Sequence, residues 1–181
     1  MQVREERPDD HEAVAALVTA AFGDDGLVAR LVADLRLLLP GRVGTALVAE
    51  DGEELVGAVL CTASRLDTPD RLLDVPVLSP LAVAPTHQGR GVGRALVTES
   101  VANVARQGAP AVFLEGDRRY YGRFGFVAAG PLGFRKPSLR IPDAGFQVRL
   151  LDAYEPWMTG TLVYAEAFWA HNAVGPPADA G

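Results

Sequence analysis

LSPLAVAPTHQGRGVGRALV, residues 78–97, decides the fold: an apolar run passes into a glycine-studded turn and then into an amphipathic helix. Gly89, Gly91 and Gly93 fall at alternate positions, so no side chain stands between an anion and the free amides at the N-terminus of that helix. Arg90 and Arg94 bring positive charge to the same turn. The pattern reads as a seat for a phosphate-bearing cofactor, and its spacing separates three kinds of phosphate loop. A P-loop needs four residues between its glycines, then Lys and Ser or Thr, a form the chain does not contain. A dinucleotide fingerprint needs G-x-G-x-x-G, and from Gly89 or Gly91 the third glycine position falls on Arg94 or Leu96. What remains is Q-x-x-G-x-G, on Gln88, Gly91 and Gly93.

A second motif, YYGRFGF at residues 120–126, lies one helix and one strand downstream and sets Tyr121, Gly125 and Phe126 in the pattern Tyr, three residues, Gly, Phe. With Pro85 closing the strand before the turn, the two motifs in this order resemble those of the GNAT superfamily, the acetyl-CoA-dependent N-acyltransferases. The resemblance is strong from Leu78 to Phe126 and elsewhere rests on the order of elements. Together SPLAV, GRGVG and YYGRFGF look most like a bacterial subgroup of predicted N-acetyltransferases, many without assigned substrates. The fold implied is α/β (α+β): a mixed, mostly antiparallel central sheet with one splayed strand, flanked by helices.

At 181 residues the chain suffices for one domain that buries about 70% of its unfolded surface, expected over residues 1–170, with 171–181 as a disordered tail. Cys61 is alone, which excludes an internal disulfide, and with three histidines there is no metal-ligand spacing to read. A reducing, cytoplasmic location is the expectation. The N-terminus MQVREERPDDHEA is charged where a signal peptide needs an apolar core, and no run approaches the roughly 18 apolar residues of a membrane span. A formal net charge of -6 argues against nucleic acid or an anionic membrane as partner, while leaving room for a local basic patch. It mildly favours a cationic amine as substrate, although such a charge also serves plain solubility.

Along the chain, Val14, Leu17, Val18 and Ala21 repeat at helical spacing, which predicts a first helix ending near Gly23; a second runs from Leu27 to Leu39, stopped by Pro40 and Gly41. Residues 43–50 and 54–61 predict a hairpin around Asp51 and Gly52. A strand follows at 77–84, and Pro80 inside it predicts a bulge or an unpaired edge, because proline has no N–H for the ladder. The helix at 92–107 should cover the sheet with Val92, Leu96, Val101 and Val104. AVFLEG is a short buried strand, and Asp117 is placed to cap a short helix through Tyr121. PLGFRKPSLRIPDAG reads as a long loop, and FQVRLL and TLVYA as strands.

The resemblance implies roles. Backbone groups of Leu81, Ala82 and Val83 hold the pantetheine arm of acetyl-CoA, and Gln88, Gly89, Arg90, Gly91, Val92, Gly93 and Arg94 its pyrophosphate. Tyr121 is the general acid, a phenol whose ordinary pKa near 10 keeps it able to donate to the departing sulfur; the bland alternative is that it packs its helix on the sheet. Tyr120, one position off register, is structural or faces the substrate. Glu115 is a candidate base for the amine's proton, or accepts amides from the following turn, and Glu50 has a similar strand-end position and ambiguity. His87 adjoins the turn as a possible contact or a solvated side chain, and Cys61 reads as an inert core residue. Trp157, Tyr164, Phe168 and Trp169 are candidates for an acceptor wall, the core or a subunit contact. The expected activity is direct transfer of acetyl from acetyl-CoA to a primary amine of a small molecule or peptide, by a monomer or homodimer. A binding-only acyl-CoA sensor is the alternative.

Overall fold

The computed structural model describes residues 1–176. Eight strands form one sheet: β1 (Gln2–Glu5), β2 (Thr45–Asp51), β3 (Glu54–Asp67), β4 (Leu72–Val83), β5 (Ala111–Glu115), β6 (Val127–Ala128), β7 (Phe146–Leu150) and β8 (Thr161–Val163). Their order is β1-β2-β3-β4-β5-β7-β6, with β8 on β3, and every pairing is antiparallel except β4 with β5. The helices are α1 (His11–Phe22), α2 (Leu27–Arg36), α3 (Val92–Arg106), α4 (Arg118–Tyr121) and α5 (Glu166–Ala170).

Strand alternation sends side chains to two cores, one on each face. On one face α1 and α2 lay Val14, Val18, Leu31 and Leu35 against Leu60, Phe113 and Phe146. On the other, α3 lays Val92, Leu96, Val101 and Val104 against Val59, Leu114 and Phe126, the apolar stripe expected of it. A side chain such as Leu96, fully buried, contributes about 1.5–3 kcal/mol. Gly23 ends α1 in the left-handed region at φ 64°, as its position predicts.

The hairpin around Asp51 and Gly52 is present, but its second strand does not stop at residue 61. β3 runs on to Asp67 and returns as β4, so residues 62–76 are a long hairpin arm, closed at Thr68 and Arg71 by the Thr68 hydroxyl. β8 pairs with this extension at residues 65–67, beyond the reach of β2. The polar residues and prolines of 62–76 hide the strand from an apolar-run reading.

The bulge expected at Pro80 is there. Val59 faces Leu81 and Cys61 faces Leu78, so Ser79 and Pro80 together oppose Leu60 alone. On its other edge β4 meets β5 at one backbone pair, Val77 with Phe113. Beyond that pair the parallel strands share no further rung up to their ends, which opens a seam in the middle of the sheet.

Other elements differ from the sequence reading as well. α2 ends at Arg36, three residues early; β1 and α5 were hidden by their shortness. The tail expected to be disordered from residue 171 is instead docked as far as residue 176: Val174 is buried, and the Arg140 guanidinium donates to Asn172 Oδ1 at 2.7 Å. Residues 177–181 lie outside the described residues.

Candidate active site

β4 ends at Val83, a single 3-10 turn follows at Pro85–His87, and the chain then enters the glycine turn before α3. Gly89 and Gly91 sit at φ 75° and 88°, a conformation that costs an L side chain roughly 1–2 kcal/mol. The first helical bond runs from the Ala95 amide to the Gly91 carbonyl at 3.0 Å. Among the described residues, no protein oxygen accepts a hydrogen bond from any amide of residues 88–94. A run of unpaired donors beside the positive end of a helix dipole is an anion site.

These amides face a cavity of about 590 Å³. Its wall includes the expected residues Leu81, Val83, Gln88, Gly89, Gly91, Val92, Gly93 and Arg94. Two expected residues do not line it: Ala82 is buried facing the α1 and α2 core, and the Arg90 side chain is exposed outside. The Gln88 side-chain amide reaches back to the Val83 carbonyl at 3.4 Å and ties the turn to the strand end. His87 lines the cavity, its Nδ1 3.0 Å from the Thr86 hydroxyl.

Tyr120, Arg123 and Phe124 complete the wall, none of which sequence reasoning placed there. A Cβ on Gly93 would lie 2.4 Å from the Tyr120 hydroxyl oxygen, so the glycine lets this phenol rest on the first turn of α3. The signal was present in the doubled tyrosine, whose first member was read as structural or substrate-facing and was not assigned to the cofactor.

Asp117 caps α4 as expected, accepting from the Arg119 amide at 2.8 Å. This directs Tyr121 inward, over Gly116 at the end of β5 and edge-on to Tyr120 and Phe126, with ring centroids 4.9 and 6.0 Å away. Burial pushes its phenol well above the usual tyrosine range, with a smaller push from Tyr120, so it stays protonated at neutral pH. Tyr121 therefore packs α4 on the sheet and carries a neutral hydroxyl, but it is not among the residues that line the 590 Å³ cavity, where the phenol is that of Tyr120.

Glu115 does not accept amides from the turn that follows it. Its Oε1 accepts from the Tyr164 hydroxyl at 2.7 Å and its Oε2 from the Gly175 amide at 3.0 Å. Burial raises this carboxyl above the usual carboxylate range, opposed by those two hydrogen bonds. Glu50 is committed elsewhere, receiving Arg4 Nε at 2.7 Å in a network with Asp10. Cys61 is fully buried and its thiol is pushed up by burial, in keeping with an inert core residue. Of the aromatic candidates, Tyr164 and Phe168 are core, while Trp157 and Trp169 lie under Arg71 and Arg140. Among the described residues no group of His, Cys, Asp and Glu is arranged to hold a metal, and no helix is long and apolar enough to cross a membrane.

A parallel seam beside an amide-lined helix start is the arrangement expected of the family that the sequence motifs resemble, and the comparison with known families agrees. The profile of the acetyltransferase (GNAT) domain matches residues 2–129, and the chain belongs to that family. It is 36% identical over 172 residues to the uncharacterized N-acetyltransferase YhbS of Escherichia coli K12, an alignment covering 93% of this chain and 98% of that protein. The crystal structure of Escherichia coli YhbS in complex with CoA superposes with a TM-score of 0.80 at 33% identity, over 92% of this chain and 91% of that one. A GNAT family acetyltransferase from Brucella melitensis in complex with acetyl-CoA gives 0.72 at 27% identity, over 92% and 97%.

Proposed function

We propose that the protein is an N-acetyltransferase acting on acetyl-CoA and a primary amine of a small molecule or peptide, both bound at once. The observation that carries this reading is the set of unpaired amides at residues 88–94 beside the seam between β4 and β5. The residues suit the cofactor: the amides and Arg94 offer donors to a diphosphate, and Gly89 and Gly91 keep the approach clear. Leu81 and Val83 of the unpaired β4 edge, with Ala82 between them contributing backbone alone, are the stretch for an extended arm. Arg90, although outside the cavity wall, adds charge to the approach of a tetra-anionic ligand.

Acetyl-CoA supplies an acetyl thioester, an acyl donor whose carbon forms the new bond to nitrogen as the bond to sulfur breaks. Tyr121 holds the proton required by the leaving thiolate, at a hydroxyl kept neutral by burial. Glu115 takes the proton of the incoming ammonium at a carboxylate oxygen, its raised affinity for a proton suiting that task. The single buried cysteine suits a reducing compartment.

A thermal-shift titration tests the binding: acetyl-CoA stabilises the protein and NAD does not. Release of free CoA on adding an amine, slowed about 10²-fold or more in Tyr121→Phe, tests the chemistry. Stabilisation without CoA release from any amine would instead identify an acyl-CoA sensor, and normal turnover in Tyr121→Phe would remove the tyrosine from the mechanism.

A further inference from the structure

Glu115 follows Leu114 on β5, and alternation sends its side chain to the face occupied by Phe113, α1 and α2, away from α3. There it opens onto a second cavity, of about 340 Å³, walled by Gly116, Ile141, Pro142, Gly175 and Pro176. Gly116 borders this cavity, and the Tyr121 ring, which packs with the α3-side core, lies against the position of its Cβ. We infer that this cavity is the acceptor subsite and that it takes a small primary amine on an apolar stem, with the ammonium held by Glu115.

The inference rests on the acetyl-transfer reading and narrows its substrate. The volume lies within the range of small-ligand pockets. Its walls offer isoleucine, proline and glycine, against one carboxylate, which suits a single positive charge carried on hydrocarbon. Each Glu115 oxygen already accepts one hydrogen bond, from Tyr164 or Gly175, so the carboxylate is fixed in direction and each oxygen keeps a second lone pair for an N–H donor. Pairing with an ammonium also offsets the cost of burying that charge. Glu115 is the single carboxylate among the lining residues, so the cavity offers no partner to a second ammonium, which disfavours a polyamine. Apart from Glu115 and Gly116, all of the wall lies beyond residue 129, outside the match to the family profile. Tyr164 and the segment 171–176 are then positioning elements.

Calorimetry on the full-length protein saturated with CoA, which carries no acetyl group to transfer, tests this, with phenethylamine as probe and 2-phenylethanol and spermidine as controls. Phenethylamine should bind, and the uncharged alcohol and spermidine at least about tenfold more weakly. Glu115→Gln should weaken phenethylamine about 10- to 100-fold while leaving the acetyl-CoA affinity within about twofold. Pro176→Trp, at the exposed rim, should weaken the amine alone, and it decides the matter should Glu115→Gln not fold. Absence of phenethylamine binding, equal binding of the alcohol, tighter binding of spermidine, or amine affinity unchanged in the variants would overturn the inference. Failure of acetyl-CoA itself to bind would instead overturn the function on which it rests.

Discussion

Replacing Gly116 by alanine probes the acid without touching it. The new Cβ would stand 2.3 Å from Tyr121 Cε2 and 2.7 Å from Cδ2. Carbon atoms rest about 3.5–4.0 Å apart, so the ring must retreat by about 1.2 Å, and Tyr120 and Phe126 pack its flanks. Overpacking of this kind costs about 1–3 kcal/mol, and at this chain length 2 kcal/mol lowers Tm by roughly 4–8 °C. Displacing a reacting group by about an ångström costs on the order of 10²-fold in rate. The assay is CoA release with acetyl-CoA and phenethylamine, run for Gly116→Ala, Tyr121→Phe and the double variant at a temperature where all are folded. If Gly116 acts through the ring, the alanine slows the wild-type enzyme about 10²-fold and adds little once the hydroxyl is gone. Turnover within threefold of wild type, or an equal loss in the Tyr121→Phe background, would refute the reasoning.

Gly91→Ala meets no atom within 4 Å, yet it places an L residue at φ 88°; chemical denaturation should show a loss of about 1–2 kcal/mol, and titration a weaker grip on acetyl-CoA as the turn amides swing away. Asp10, whose carboxyl Arg4 holds at about 2, contributes stability that is full above its unfolded value of roughly 3.9 and is lost as pH falls through about 2. Melting curves of Asp10→Asn should therefore lie below wild type at pH 7 and converge with it as the pH approaches 2; a gap independent of pH would contradict the pairing. The Cys61 thiol should resist a disulfide reagent in the native protein and react at once in denaturant, and rapid native labelling would show that its burial is wrong.

The two glycine-containing motifs carried the site because their information is local: positive φ at Gly89 and Gly91, and a cap at Asp117, are properties of a few adjacent residues. Pro80 carried the bulge for the same reason. The hairpin arm over 62–76 was not legible, since Arg65, Asp67 and Asp74 lie on strands whose pairing is decided by a partner rather than by their own polarity. Tyr164 and Gly175 meet Glu115 across 49 and 60 residues of sequence, and no periodicity reports a contact of that range. The docking of residues 171–176 escaped notice because AVGPPADAG has the composition of a linker, while Val174 is buried and Asn172 and Gly175 meet Arg140 and Glu115.

Val77 opposite Phe113 is the lone rung joining two half-sheets, β1 to β4 with β8 on one side and β5, β7 and β6 on the other. One covalent link from half to half runs through the glycine turn and α3 and the other through residues 151–160 between β7 and β8, so the element that offers amides to an anion also helps strap the halves together. A molecule lying along that gap bears on both at once and acts as a splint. Amide exchange at residues 77–83 and 113–115 should then slow on loading far more than at the outer strands, making the enzyme's stiffness a readout of its cargo.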